Sequence, residues 1–93
     1  MIRHVVIFKA ENNAPLEEFK KRIENLKNDI KEIIDIKVGI DINFDPASAD
    51  FCVITDVKNI EDLKIYANHP KHLEVINFLK PYINERKVVD FKV

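Results

Sequence analysis

The sequence predicts an α+β domain in the order strand, helix, strand, strand, helix, strand, and three observations carry that prediction. Residues 2–9 are apolar or β-branched on both parities, residues 16–33 place apolar side chains in steps of three and four, and residues 35–44 alternate strictly between polar and apolar. With 93 residues there is room for one core, so the whole of 1–93 reads as a single domain.

In the first strand Ile2, Val6 and Phe8 share one parity while Val5 and Ile7 share the other, the pattern of a strand buried on both faces. Asn12, Asn13 and Pro15 break it and lead into a helix, with Glu17 and Glu18 near the positive end of the helix dipole. Leu16, Phe19, Ile23, Leu26, Ile30 and Ile33 then predict one long amphipathic helix with a narrow apolar stripe. Ile36, Val38, Ile40, Ile42 and Phe44 alternate with Asp35, Lys37, Gly39, Asp41 and Asn43, which predicts a second strand with one wet face.

A turn is expected over Asp45, Pro46, Ala47, Ser48 and Ala49, after which Phe51, Cys52, Val53 and Ile54 open a third strand that is apolar on both sides and therefore central. Asn59 followed by Asp62 resembles a capping box and starts a short helix through Leu63 and Tyr66. His69 and Pro70 interrupt it. A second helical piece is expected from about Pro70 to Ile83, with Leu73, Ile76 and Leu79 inward. The last strand runs from Arg86 to Val93, with Val89, Phe91 and Val93 opposing Val88 and Asp90.

This order is the ferredoxin-like βαββαβ arrangement, a four-stranded antiparallel sheet with its helices on one face. The first, third and fourth strands carry apolar groups on both parities, so the other face needs a cover. A second copy of the chain is the expected one, giving a homodimer with a barrel-like core of two sheets.

Composition excludes several functions. Fifteen Lys and Arg against sixteen Asp and Glu leave a net charge of -1, without the basic excess that nucleic-acid binding draws on. No apolar run approaches the roughly 20 residues that span a bilayer. The single Cys52 and the absence of a leader-like segment before the first strand point to a reducing cytoplasm. One glycine in the whole chain leaves no Gly-rich loop for phosphate, so no nucleotide cofactor, and no cofactor of any kind, is expected.

Three stretches together resemble the stress-responsive A/B barrel family (Dabb) of the dimeric α+β barrels. They are Ile2-Arg3-His4-Val5-Val6-Ile7-Phe8-Lys9, Tyr66-Ala67-Asn68-His69-Pro70-Lys71-His72, and Val88-Val89-Asp90-Phe91. The resemblance runs through the whole chain and implies a homodimer with a cleft between each sheet and its helices. Most members have no established activity, but a plant branch similar to this family contains polyketide cyclases in which a cleft His is the base, assisted by a Tyr and a second His near the amino terminus. The matching positions are His72, Tyr66 and His4, and Asp90 matches a carboxylate common in the last strand.

The residues themselves support such a grouping. His4 shares the parity of Ile2, Val6 and Phe8, so a polar group points into an apolar face and needs a partner there. His72 lies on or beside the inward stripe of its helix, Tyr66 can reach the same region across the His69-Pro70 break, and Asp90 on the neighbouring strand could hold one imidazole nitrogen and set the tautomer of the other. That is a base with an orienter, suited to moving protons near neutrality. The competing reading is structural: a satisfied core His4 and a His-Pro-x-His turn that caps a helix, within a non-catalytic stress-related or assembly module.

His69 reads as a cap. A metal site built from His69, His72 and His4 is a third arrangement, disfavoured because no Cys or second His pair completes it. Cys52 reads as a buried strand residue and Ser48 as a turn residue without a nucleophile elbow. Val6, Phe8 and Phe19 are candidate walls of an apolar ligand pocket, or else plain core.

Overall fold

Strand β1 (Ile2–Ala10) is apolar in both directions, and in this computed structural model, which describes residues 1–93, it pairs with two neighbours at once. It is antiparallel to β3 (Phe51–Val57) on one side and to β4 (Ile83–Lys92) on the other, while β2 (Ile33–Ile40) pairs with β3, so the sheet order is β2-β3-β1-β4. The helices α1 (Leu16–Glu24), α2 (Leu26–Asp29), α3 (Ile60–Asn68) and α4 (Pro70–Leu79) supply Phe19, Ile23, Leu26, Tyr66 and Leu79 to the core that Val6, Phe8, Ile36, Val38, Phe51 and Val53 present from the sheet. This is the ferredoxin-like arrangement expected from the sequence. No helix is long and apolar enough to cross a membrane.

Aromatic rings organise one end of the core. Phe8 stacks on its cross-strand partner Phe51 with centroids 4.6 Å apart, and Phe19 meets Phe51, Phe78 and Tyr82 at 5.6, 5.7 and 5.8 Å. Offset and edge-on contacts at such distances add to the area that the rings bury. The guanidinium of Arg22 lies 3.8 Å from the centre of the Phe78 ring and closes this cluster from outside.

The apolar stripe expected to form one long helix is divided among three elements. The helix breaks at Asn25 and ends after Asp29; Ile30, in extended backbone, is buried beneath the turn, and Ile33 already belongs to β2. The stripe records burial, and successive elements can bury it equally well.

The second strand also stops earlier than expected. Its alternation holds through Ile40, but Ile42 and Phe44 lie in the following loop with 89% and 84% of their surfaces exposed. The Asp41 carboxylate accepts the Phe44 N–H at 2.8 Å, and Asp45 accepts the Ala47 N–H at 2.8 Å, so side chains that favour local turns capture the backbone before the pattern runs out.

In α4 the expected inward set is rotated. Leu73 is 45% exposed and Ile76 stands at the edge of the core, whereas His72, Val75 and Leu79 turn inward. The helix ends at Leu79, a short 3₁₀ turn follows over Lys80–Tyr82, and β4 begins at Ile83 rather than Arg86.

The face of the sheet away from the helices carries Val5, Ile7, Ile54, Val89 and Phe91, of which Val89 is 59% and Phe91 45% exposed. Arg3 and Asp56 sit at one end of that face in a two-pronged ion pair at 2.9 and 3.0 Å. Asp56, through its hydrogen bonds first and its charge second, raises the Arg3 guanidinium above its ordinary pKa.

Candidate functional site

Register across three strands sets a polar row on the helix-covered face. Thr55 of β3 lies directly opposite His4 of β1, and His4 lies directly opposite Asp90 of β4. The His4 Nδ1 is 2.5 Å from an Asp90 carboxylate oxygen. In the neutral imidazole Nδ1–H donates to that carboxylate, which leaves Nε2 as the lone-pair nitrogen. His4 thus has the partner that its place on an apolar parity demanded.

The turn between α3 and α4 brings two more groups over this row. Asn59 caps α3 by accepting the Asp62 N–H at 2.9 Å. At the other end His69 adopts extended backbone, as a residue before proline prefers, and Pro70 opens α4 where its missing N–H costs nothing. The His69 side chain accepts the Lys71 N–H at 3.1 Å, which is the capping role expected of it. The sharp turn places the rings of Tyr66 and His72 4.4 Å apart, and the Tyr66 ring stands edge-on to His4 at 6.1 Å.

Each of these groups has one polar atom engaged and one available. His72 Nδ1–H donates to the Ala67 carbonyl at 3.0 Å, so its Nε2 is the unprotonated nitrogen. Thr55, wholly buried, donates its hydroxyl to the Tyr66 oxygen at 3.4 Å, which leaves the phenolic hydrogen for another acceptor. Burial pushes the His72 imidazole below its ordinary pKa against the opposing bond to Ala67, and the charges of His4, Arg86 and His69 push the same way as burial. Burial raises the Tyr66 phenol above 10, opposed by the Thr55 hydroxyl and the charge of Arg86. At neutral pH the site therefore holds a neutral base beside a neutral phenol.

Between the sheet and the helices lies a cavity of about 320 Å³. His4, Tyr66 and His72 line one part of it, Val6, Phe8, Val53, Val75, Leu79 and Ile83 form apolar wall, and Lys80 and Arg86 contribute cations. Volume and lining fall in the range of small-molecule sites.

Of the sequence-derived candidates, His4, Tyr66, His72, Val6 and Phe8 border this cavity, and Asp90 stands behind His4 and reaches it only through that ring. Phe19 does not border it: the ring is completely buried between Phe51, Phe78 and Tyr82 because its position on α1 faces the far end of the core. No three His, Cys, Asp or Glu side chains converge as metal ligands, since His69 is turned onto the Lys71 backbone. Thr55, Lys80 and Arg86 escaped the sequence reading. A hydroxyl on the core parity of a central strand was the available signal for Thr55, and the shared parity of Arg86 and Asp90 was the signal for Arg86.

A family model described as the stress responsive A/B barrel domain matches residues 2–93. The chain belongs to that family. This A/B barrel protein is similar to a dimeric protein of unknown function with a ferredoxin-like fold from Bacteroides fragilis, with 31% identity, 99% of this chain and 95% of that one covered, and a TM-score of 0.85. It shares its fold with a dimeric ferredoxin-like protein from Thermobifida fusca, with 24% identity, 99% and 90% coverage and a TM-score of 0.87. A Dabb family protein from Mesorhizobium loti has the same fold at 15% identity, 99% and 95% coverage and a TM-score of 0.81. No curated protein matches the sequence.

Proposed function

We propose that this A/B barrel protein binds a small, largely apolar or aromatic carbonyl compound in the cavity and moves a proton on it without a cofactor. The observation that carries the reading is the single cavity bordered by both His4 and His72, each with its Nδ1 engaged and its Nε2 left over. The bond to Ala67 alone would suit a His72 that merely closes the α3–α4 turn. A purely structural pair of histidines, however, has no need to border one shared apolar cavity.

In the proposed step, His72 Nε2 takes a proton from the carbon beside the carbonyl. The C–H electron pair moves into the new C–C double bond, the carbonyl π pair moves onto oxygen, and the phenolic hydrogen of Tyr66 stabilises the resulting enolate oxygen. The imidazolium can return the proton to the same or another carbon, so atoms and charges balance. Asp90 acts as a positioning residue that holds His4 in one tautomer.

The same reading makes the protein a homodimer through the open sheet face, supported by the exposed apolar side chains of that face and by the dimeric assembly of the Bacteroides fragilis relative, and puts it in a reducing cytoplasm, where the single Cys52 stays a free thiol. Thermal-shift screening of aromatic ketones and polyketide-like compounds against wild type and His72→Ala tests the site. Hits should stabilise the wild type and lose most of that effect in the variant. Compounds that stabilise both proteins equally would remove His72 from the site.

A further inference from the structure

Lys80 and Arg86 are the only Lys, Arg, Asp or Glu side chains in the cavity wall, and neither has a carboxylate within ion-pair distance. Six of the fifteen Lys and Arg have a carboxylate within ion-pair distance; Lys80 and Arg86 are among the nine that do not, and they are the two of those nine that line the cavity. The carboxylate on the same face of β4, Asp90, is occupied by His4. Both cations come from one stretch, three residues to either side of Ile83, where the chain passes from the 3₁₀ turn into β4.

Their position relative to the imidazoles follows from element geometry. Arg86 and Asp90 share a face of β4 four residues apart, about 13 Å along a strand. Lys80 follows His72 by eight residues, about 12 Å along a helix. The long side chains shorten those gaps, and the Arg86 charge is felt at both Tyr66 and His72. Phe8 lies directly opposite Arg86, and Val6 with its cross-strand partner Val53 lies between that level and His4.

We infer that the ligand is a carboxylic acid with an apolar or aromatic body, its carboxylate held by Arg86 and Lys80 and its body laid on Phe8, Val53 and Leu79, so that the far end meets His4, Tyr66 and His72. The inference rests on the cavity being the binding site, as proposed above, and adds the chemical class of the occupant. An Arg fork offers two parallel N–H donors to a planar carboxylate, and a Lys beside it adds a point charge. An apolar pocket with unpaired cations at one end favours such an amphiphile over a neutral molecule of equal size.

The matched probes 4-phenylbutyrate and 4-phenylbutanamide test this, titrated by NMR at low salt into wild type and into the Lys80→Gln/Arg86→Gln double variant. Backbone resonances of Val75, Leu79 and Ile83 report occupancy, and both substituted positions are exposed, so the variant should retain the fold. The acid should bind wild type at least about tenfold more tightly than the amide, and the ratio should fall to about twofold or less in the variant. Equal binding of acid and amide to wild type, or a ratio unchanged in the variant, would overturn the anionic class and leave the cavity as a binding site. If neither probe moved those resonances at millimolar concentration, the binding reading itself would fall, and the inference with it.

Discussion

Removing one oxygen atom, by Tyr66→Phe, tests whether the phenol is held as the site requires. The Tyr66 hydroxyl lies 3.4 Å from the hydroxyl of Thr55, and both residues are buried, with 3% and 0% of their surfaces exposed. A neutral hydrogen bond contributes about 1 kcal/mol net, and this one is long, which places it toward the lower end. Thr55 would then keep a buried hydroxyl without a partner, at a cost of about 1–3 kcal/mol. The phenol's own desolvation penalty disappears in the variant, so a net loss of about 1–2 kcal/mol is expected, a fall in Tm of about 4–8 °C per kcal/mol in a domain of this size.

The double variant Tyr66→Phe/Thr55→Val removes both polar atoms together and should be more stable than the sum of the single changes by about 0.5–1 kcal/mol. Urea unfolding of the four proteins at one fixed concentration measures that coupling, the fixed concentration being needed because self-association shifts apparent stability. Additive losses, within about 0.3 kcal/mol, would refute the bond and with it the claim that the phenolic hydrogen is directed away from Thr55. In the same variant a ketone ligand found by screening should bind about threefold to tenfold more weakly, the share of one neutral hydrogen bond.

Two further outcomes follow from the structure. Because burial holds the His72 pKa below about 6.5, the unfolded chain takes up the proton first as the solution is acidified; stability from this group is complete above about pH 6.5 and declines as pH falls toward the folded value, and urea midpoints should show a slope there that His72→Gln flattens. Phe91→Glu on the open face should change single-subunit stability by only about 0.5 kcal/mol yet convert the assembly to single subunits by sedimentation; a wild type that already sediments as a lone subunit would contradict the proposed pairing.

Much of the architecture was legible because local periodicity reports burial directly. The double-parity apolar run of β1 marked a strand with apolar side chains on both faces of the sheet, and the His69-Pro70 pair marked the turn that lets Tyr66 and His72 converge. The same signal misassigned Ile33 to a helix, because an apolar stripe says that a side chain is covered and not by which element. It carried β2 past Ile40 to Phe44 because alternation cannot register the hydrogen bond by which Asp41 turns the chain. Leu73 was expected inward and is 45% exposed, since a chain-local count of apolar residues does not set the rotation of α4 against the sheet.

By itself, then, the order of residues determined the succession of strands and helices though not their ends, which strands are apolar on two sides, and that His4 must meet a polar partner. The sequence offered Asp90 as a carboxylate within reach of an imidazole, and tertiary structure set it directly opposite His4; tertiary structure alone decided that Thr55 orients Tyr66, that Phe19 is core and not pocket wall, and that Arg86 and Lys80 face the cavity unpaired. The physical reason is one of range: periodicity arises between neighbours in the chain, whereas strand register and helix rotation arise from packing between residues as distant as His4 and Asp90, which are 86 positions apart.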